Sequence, residues 1–385
     1  MKFYLFNPEH DMALASYSPY YKAPAEIIRM KEDLSVLPVW YAESGSCVHV
    51  SSVEVERSFY EQCCSDCMGP WATLTILRDA DELVPWGWDP ALVHWVQSGL
   101  NGGVVCPDPE GLEQIKYLSG RQRCAEILSD FSDWSAVYGE SVACGSLEEV
   151  EHFLESYSDV ILKAPWSGSG RGLARTSLST FTDNLKGWVS RIIRTQQAIM
   201  AEPLYNKVVD FAMEFKMEDR LSFVGFSLFE TDSHGNYKQN VLTSDEAIVR
   251  HLTAYVPYEL IMQVRDQLLK SLSDMIGNGY HGYFGVDMMI CESEGMHFVH
   301  PCVEINLRMN MGVVARLLFD RYVHPASRGT YVVAHFNSDG EALSQHQDFC
   351  TRYPARMKGG KMESGYFPLT PVFNHTRYQC YVILE

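Results

Sequence analysis

The chain has 385 residues, of which 46% are hydrophobic and 12% are aromatic. This length and composition predict two or three packed units with sizeable cores and exclude disorder throughout the chain. Lysine and arginine together number 31 and aspartate and glutamate number 49, which gives a net charge of -18. Because an acidic surface repels nucleic acid and anionic lipid, neither is expected as a partner.

The N-terminal residues lack the charged start and long apolar core of a secretory signal. No apolar run approaches the ~20 residues that a membrane span needs. A cytoplasmic protein without a membrane partner is therefore expected, and its eleven cysteines are expected to be reduced thiols. The cluster of Cys63, Cys64 and Cys67 offers too few ligands for a typical structural zinc site, so plain thiols are favoured over metal binding.

The predicted elements begin with a buried strand at 2–7, followed by a short strand at Ser35–Ala42 whose Pro38 weakens its pairing. Strands and helices then alternate, so residues 1–115 are expected to form an α/β domain. The polar residues 7–11 directly follow the first strand, where open α/β sheets bind ligands. Contact with a substrate and a simple capped turn are both compatible with them.

A second unit is expected over residues 116–200. Ser146 and Glu149 have the spacing of a capping box and open an amphipathic helix. Residues 159–163 then predict a buried strand that runs into a glycine-rich loop. After the loop, Thr182 caps another helix with apolar residues at helical spacing.

A third unit is expected over 201–325, and residues 326–385 are expected to form a C-terminal extension packed on it. The predicted elements of the third unit are a helix that begins at Pro257 and four strands, the last two of which form a hairpin. These strands lie at 211–215, 222–229, 283–290 and 297–305.

The loop after the strand at 159–163 carries glycines, whose missing Cβ lets the backbone approach a phosphate closely. Lys163, at the end of that strand, can reach phosphates as a point charge. The spacing matches neither GxxxxGK[ST] nor GxGxxG, and a flexible hairpin turn is the competing interpretation. The loop residues with backbone or hydroxyl groups able to contact a phosphate are Ser167, Gly168, Ser169, Gly170 and Gly172.

The segment 202–205 leaves a strand and is a candidate for contact with an adenine ring. Its backbone groups, through Leu204 and Tyr205, are expected to be free to contact the edge of the base. Glu202 and Asp210 can accept hydrogen bonds from the adenine amino group and from ribose hydroxyls. A loop between strands with surface acids is the alternative.

Asp287 and Glu304 lie on the two strands of the predicted hairpin, where they can stand opposite each other. Glu304 and Asn306 are two residues apart, so both side chains lie on the same face of their strand. These three oxygen ligands are of the type that Mg²⁺ prefers, and Arg308 can stabilise charge on a transferred phosphoryl group. The alternative is an edge hairpin with polar residues in solvent.

Together these motifs resemble the ATP-grasp superfamily over about residues 116–315. The pattern E-x-N-x-R at 304–308 is similar to that of biotin carboxylase and the carbamoyl-phosphate-synthetase group. The resemblance implies an α/β and α+β chain that has the ATP-grasp fold with an N-terminal α/β domain of the pre-ATP-grasp kind. It also implies ATP and Mg²⁺, with two ions, as cofactors.

The resemblance assigns phosphate binding to Lys163 and the glycine loop, adenine and ribose binding to 202–205 and Asp210, and catalysis to Arg308 and Lys163. It places the Mg²⁺ ions on Asp287, Glu304 and Asn306. Members of the superfamily carry a further basic contact early in this region. Here the candidates for that contact are Arg121 and Arg123, between which the sequence does not decide.

The resemblance implies transfer of the γ-phosphoryl group of ATP to a substrate carboxylate. The acylphosphate is then attacked by an amine or, less often, a thiol, so that ATP ends as ADP and phosphate. A kinase-like phosphoryl transfer and a non-catalytic nucleotide-binding regulatory module are the alternatives. Many relatives dimerise, so a homodimer is one expected state, while the acid and the acceptor stay open.

Overall fold

The computed structural model describes residues 1–50, 52–53, 72–75, 82–99, 104–167, 172–231 and 237–385. The helices are α1 (His10–Ser16), α2 (Ala25–Asp33), α3 (Pro90–Gly99), α4 (Pro109–Leu118), α5 (Gln122–Ser129), α6 (Leu147–Ser156), α7 (Asp183–Gln196), α8 (Asp245–Leu252), α9 (Tyr258–Ile276), α10 (Met311–Tyr322) and α11 (Glu341–Arg352). Short 3₁₀ helices lie at Leu37–Trp40 and Leu178–Thr180. The cysteine cluster at Cys63, Cys64 and Cys67 lies outside the described residues.

The strands form three sheets. They are β1 (Lys2–Leu5), β2 (Ser46–His49), β3 (Ala72–Thr75), β4 (Glu82–Pro85), β5 (Val142–Cys144), β6 (Val160–Lys163), β7 (Leu173–Thr176), β8 (Ile199–Pro203), β9 (Lys207–Met217), β10 (Leu221–Thr231), β11 (Tyr237–Leu242), β12 (Gly282–Ser293), β13 (Met296–Asn306), β14 (Gly329–His335), β15 (Arg356–Lys358), β16 (Lys361–Pro368) and β17 (Tyr378–Leu384).

The first sheet is parallel, with strand order β3-β2-β1-β4. The predicted opening strand is present as β1 and is buried on both faces. Phe3 and Leu5 lie in one apolar cluster, and Tyr4 and Phe6 lie in another. The predicted strand at Ser35–Ala42 is wrong. That segment contains a 3₁₀ helix, whose first turn accepts the fixed backbone angle of proline.

The second sheet is antiparallel, with strand order β5-β8-β6-β7. The predicted N-caps are confirmed, since Ser146 accepts from the Glu149 amide at 3.2 Å and Thr182 from the Leu185 amide at 3.4 Å. The carboxylate of Glu149 accepts from the amide of Gly145 at 2.8 Å and not from that of Ser146, so only the Ser146 half of the predicted capping box is present. Apolar residues of α6 and α7 pack on this sheet. The glycine-rich loop connects β6 with β7 at the edge of the sheet.

The third sheet has nine strands in the order β13-β12-β9-β10-β11-β14-β17-β16-β15. The predicted hairpin is present as β12 and β13, and α9 begins directly after Pro257, as predicted. The C-terminal residues 326–385 supply four strands of this same sheet.

One face of β9, β12 and β13 packs against α5, α8 and α9 in a hydrophobic core. A second core joins the first sheet to α10 and the C-terminal strands. Because one side of the large sheet is filled in this way, the polar residues of β9, β12 and β13 lie on its opposite face. In the described part of the chain, no helix is both long enough and apolar enough to cross a lipid bilayer.

Candidate active site

Asp287 and Glu304 lie directly opposite each other on the antiparallel strands β12 and β13, which confirms the predicted pairing. The same register pairs Gly285 with Asn306. Glu304 and Asn306 therefore share one face of β13, while the intervening Ile305 lies in the hydrophobic core. The hairpin thus presents three oxygen-bearing side chains on its polar face.

The electrostatics of this face favour a cation. Burial, and next the negative charge of Glu304, raise the pKa of Asp287 to about 7. A divalent cation near both carboxylates would relieve this repulsion, and Asn306 adds an amide oxygen of the type that Mg²⁺ binds. Among the described residues, no three His, Cys, Asp or Glu side chains form a metal cage. The hairpin itself offers two carboxylates and one amide.

Arg121 lies between this hairpin and the base of the glycine loop. Its buried guanidinium donates to a carboxylate oxygen of Glu304 at 2.6 Å and to the hydroxyl of Ser167 at 2.7 Å. It also donates to the carbonyl of Ala164 at 2.6 Å. Arg121 therefore links a predicted phosphate contact to a predicted metal ligand.

Arg123 points elsewhere. It pairs with Glu126 at 2.5 Å, and its guanidinium lies 4.0 Å from the ring centroid of Tyr117. Of the two arginines between which the sequence does not decide, Arg121 is the one beside the other predicted site residues.

Arg308 is held by an acid from the other end of the chain. Its Nε and Nη2 donate to the two carboxylate oxygens of Asp11 at 2.6 and 2.7 Å, and Nη2 also donates to Oδ1 of Asn306 at 3.1 Å. Burial alone would lower the pKa of Arg308, but the charge and hydrogen bonds of Asp11 outweigh burial and raise it. The guanidinium therefore stays charged beside the predicted metal ligands.

Lys163 and Glu202 are partners of each other. Nζ of Lys163 lies 2.5 Å from Oε2 of Glu202, and both side chains are buried. The hydroxyl of Ser141 donates to the other carboxylate oxygen at 3.0 Å. The predicted phosphate-binding lysine and the predicted adenine-contacting acid are thus adjacent, and a nucleotide would have to share or replace their contact.

The backbone at Leu204 differs from the prediction. Its amide, expected to be free for a base edge, donates to the carbonyl of Asp159 at 2.9 Å. That expectation is wrong because Leu204 continues the antiparallel pairing of Pro203 with Val160. Base contacts in this segment must therefore come from other groups.

Tyr205 is fixed by packing and by a hydrogen bond. Its hydroxyl accepts from the amide of Glu140 at 3.0 Å, and its ring packs edge-on against Tyr138 and Phe298. Burial raises the pKa of Tyr205 well above its usual value, so the phenol is neutral. Tyr205 therefore holds the segment in place against its neighbours.

Asp210 lies on the polar face of the large sheet. Its carboxylate accepts from the hydroxyl of Thr231 at 2.8 Å and pairs with Lys207. The register places Asp210 opposite Met289, two residues from Asp287 on β12. The predicted ribose contact and the predicted metal ligands thus share one surface.

The glycine loop is closed at its base. Lys163 pairs with Leu173 across the β6–β7 hairpin, and the amide of Ala164 donates to the carbonyl of Gly172 at 2.8 Å. Gly172 has a φ of +77°, and a Cβ there would lie 2.8 Å from the Cβ of Ser167, so glycine is required. Gly168, Ser169 and Gly170 lie outside the described residues.

Glu214 is a buried acid of this face that the sequence analysis missed. It is 1% exposed, stands opposite Gly285 and accepts from the side-chain amide of Asn310 at 3.1 Å. Burial raises its pKa to about 8. The available signal was a charge within the otherwise apolar predicted strand 211–215, four residues after Asp210 and therefore on the same face.

His300 is a second buried residue that the sequence analysis missed. Its side chain is fully buried, and neither ring nitrogen has a partner among the described residues. Its ring centroid lies 5.3 Å from that of Tyr205. Burial, and next the charge of Lys163, lower the pKa of His300 to about 3. Its position four residues before Glu304 on β13 was the signal that both share a face.

A narrow cavity lies where three parts of the chain meet. It is lined by the residues that follow β1, by the base of the glycine loop and by the end of β13. His10, Asp11, Ser167, Glu304 and Arg308 contribute to its wall. The first sheet, the second sheet and the large sheet therefore border one space.

The structure is similar to those of solved ATP-grasp enzymes. Biotin carboxylase from Campylobacter jejuni, in complex with β,γ-ATP, aligns over 100% of this chain and 87% of its own, at 10% identity and a TM-score of 0.55. The biotin carboxylase domain dimer of 2-oxoglutarate carboxylase from Hydrogenobacter thermophilus, in complex with MgADP, ADP and bicarbonate, aligns over 99% and 86%, at 10% identity and a TM-score of 0.51.

No protein-family profile and no curated protein sequence matches the chain. The similarity therefore lies in the fold. The chain has the ATP-grasp fold, as its motifs predict, and the alignment extends over the N-terminal sheet as well.

Proposed function

We propose that this protein is an ATP- and Mg²⁺-dependent ligase that activates a substrate carboxylate as an acylphosphate for attack by an amine or a thiol. The observation that carries the proposal is the pairing of Asp287 with Glu304 on the polar face of the large sheet, beside Arg308. The fold supports it, since both solved structures described above belong to ATP-grasp enzymes.

Asp287, Glu304 and Asn306 would hold Mg²⁺, with two ions expected. When bound, the metal supplies positive charge against the phosphates of ATP. Arg308 carries a fixed positive charge at the edge of the same face, where it would stabilise charge on the phosphoryl group in transfer. The residues of this face align charges and reactants, so no side-chain nucleophile is required.

Lys163, Arg121 and the glycine loop would bind the phosphates of the nucleotide. Arg121 supports this role because it already contacts Ser167 at the base of the loop. Glu202 and Asp210 would receive the base and the ribose, while Tyr205 holds the segment between them. Lys163 would exchange its partner Glu202 for a phosphate when the nucleotide binds.

The partners would be small molecules, a carboxylic acid and an amine or thiol, in the cytoplasm. The net charge of -18 disfavours nucleic acid and anionic lipid. A homodimer remains an expectation.

The proposal is tested by incubating the protein with ATP, Mg²⁺ and pooled carboxylic acids and amines. We expect ADP and phosphate to form only when an acid and an acceptor are both present. A stable phosphorylated product would favour a kinase instead. Tight ATP binding without turnover over the whole panel would favour a regulatory module.

A further inference from the structure

The crevice between β1 and β4 is the point in the first sheet where the strand order reverses. β1 pairs with β2 on one side and with β4 on the other, and both pairings are parallel. Open parallel sheets bind ligands at such a reversal, beyond the carboxyl ends of the strands. The residues that follow β1 and β4 therefore stand where a ligand is expected.

These two segments are tied together around a buried histidine. The side-chain amide of Asn7 donates to the carbonyl of Gly87 at 2.8 Å and to a carboxylate oxygen of Asp89 at 3.4 Å. His10 and Asp89 are each 1% exposed. A Cβ on Gly87 would lie 2.6 Å from the imidazole of His10, so the backbone of the glycine packs directly on the ring and fixes it.

The buried ring of His10 lies beside an acid and contributes to the wall of the cavity. Nδ1 of His10 lies 3.7 Å from Oδ2 of Asp89 and has no hydrogen-bond partner among the described residues. The other oxygen of Asp89 accepts from the amide of Leu92 and so caps α3. His10 also lines the cavity that contains Asp11 and Arg308. One oxygen of Asp89 caps α3, and the other, which faces His10, also accepts from Asn7, so the carboxylate is held in place beside the ring.

We propose that His10 is the base that removes a proton from an amine acceptor, with Asp89 as its positioning residue. This assignment rests on the proposed ligase function. The charged groups near His10 are Asp89, Asp11 and Arg308, which is paired with Asp11. The charge of Asp11 is already paired with Arg308. The carboxylate of Asp89 beside the ring favours an acceptor that arrives as an ammonium cation over a neutral thiol.

The acceptor enters the crevice as an ammonium cation. Nδ1 of His10 faces Asp89, which leaves Nε2 to take a proton from the ammonium group and free its electron pair. The nitrogen then bonds to the acyl carbon, the bond from that carbon to the phosphate oxygen breaks, and phosphate leaves with the electron pair. The second proton from nitrogen passes to the phosphate, which leaves an amide.

Hydroxylamine provides a probe that separates the two half-reactions. It is largely uncharged at neutral pH, so it attacks an acylphosphate without needing a base. The acids would be the proteinogenic L-amino acids and short dicarboxylates, and the acceptor would be either hydroxylamine or ammonium. Hydroxamate is measured by its ferric colour and amide by mass spectrometry.

We expect His10→Gln to form hydroxamate at close to the wild-type rate and amide ~10²–10⁴-fold more slowly, the range for loss of a general base. Asp89→Asn can still cap α3 and should show the same selective loss of amide formation to a smaller degree. This variant replaces His10→Gln as the test if His10→Gln does not fold. The matched control is His94→Gln, since His94 on α3 packs against Tyr20 instead. It should leave both products unchanged.

Equal loss of hydroxamate and amide in a folded His10→Gln, or no loss of either, would overturn the assignment of His10. A wild-type protein that makes neither product from any acid on the panel would instead overturn the ligase function and the assignment with it. The two failures are therefore distinguishable by the behaviour of the wild type.

Discussion

Asp11 and Arg308 form a two-pronged ion pair that joins the first helix of the chain to the segment after β13. Beside it, the carbonyl of Trp86 accepts from the amide of Met309 at 2.9 Å. Burial alone would raise the pKa of Asp11, but Arg308 outweighs burial and holds the pKa below its usual value. Asp11, on the helix that follows β1, thus orients the arginine to which we assign a role in phosphoryl transfer.

Asp11→Asn should lower turnover about 10²-fold, the scale of a small misplacement of a catalytic group, with little change in ATP affinity. The variant removes the charge that fixes the Arg308 guanidinium. Steady-state rates and ATP titrations check this. Asp348→Asn, which removes half of the exposed pair with Arg352, is the control, and equal activity of the two variants would contradict the role of Asp11.

Arg121→Ala should weaken ATP binding, whereas Arg123→Ala should leave it unchanged. Arg121 contacts Ser167 and Glu304, while Arg123 contacts Glu126 and Tyr117 outside the site. The ATP dissociation constants of the two variants, measured by calorimetry, test this prediction. Equal affinities would remove Arg121 from the phosphate site.

Lys163→Met should weaken ATP binding and also destabilise the fold by about 3–5 kcal/mol, because Glu202 would keep a buried charge without its partner. Adding Glu202→Gln should restore part of the stability but none of the affinity. Urea unfolding and ATP titration of the single and double variants measure the two effects separately. An ATP dissociation constant unaltered by Lys163→Met would exclude its phosphate role.

Glu304→Gln should nearly abolish turnover while the fold remains intact, because it removes charge from a metal ligand and keeps the side-chain shape. Rates at saturating ATP and Mg²⁺, together with a thermal melt, test this. The matched control is Glu292→Gln at the far end of the same hairpin. Wild-type activity in Glu304→Gln would eliminate the proposed metal site.

Glu214 should make stability fall as pH rises. Its folded pKa of about 8 lies above the unfolded value of about 4.3, so the folded state retains a proton that the unfolded state releases. The contribution of Glu214 to the free energy of unfolding is largest below pH ~4. It is lost as the pH rises toward 8, by at most about 1.4 kcal/mol per pH unit. Above pH 8 its contribution no longer changes.

Glu214→Gln should therefore flatten the pH dependence of stability, since the amide does not titrate and can still accept from Asn310. Urea unfolding of both proteins at several values between pH 5 and pH 8 gives the comparison. Parallel curves for wild type and variant would show that Glu214 does not bind a proton in the folded state.

Much of the site follows from local patterns. The alternation of polar and apolar residues along β13 places Glu304 and Asn306 on one face, and the short turn before it brings Asp287 opposite Glu304. The helix caps at Ser146 and Thr182 are equally local, because each depends on a hydroxyl and an amide three residues on.

Other features depend on contacts between distant segments and were not predictable from such patterns. The partner of Arg308 is nearly 300 residues away in sequence, and no local spacing encodes that pair. The choice of Arg121 over Arg123 depends on which side of α5 faces the large sheet. The segment Ser35–Ala42 was wrongly predicted as a strand because it is a short, buried apolar run. Such a run is compatible with a helix as well as with a strand.

The most direct measurement of the central claim is binding of Mn²⁺, as a substitute for Mg²⁺, in the presence of a non-hydrolysable ATP analogue. Electron paramagnetic resonance would follow free Mn²⁺ with the wild type, Asp287→Asn and Glu304→Gln. We expect the wild type to bind Mn²⁺ together with the analogue and both variants to bind Mn²⁺ far more weakly. Equal Mn²⁺ binding by all three proteins would contradict a metal site on the β12–β13 hairpin.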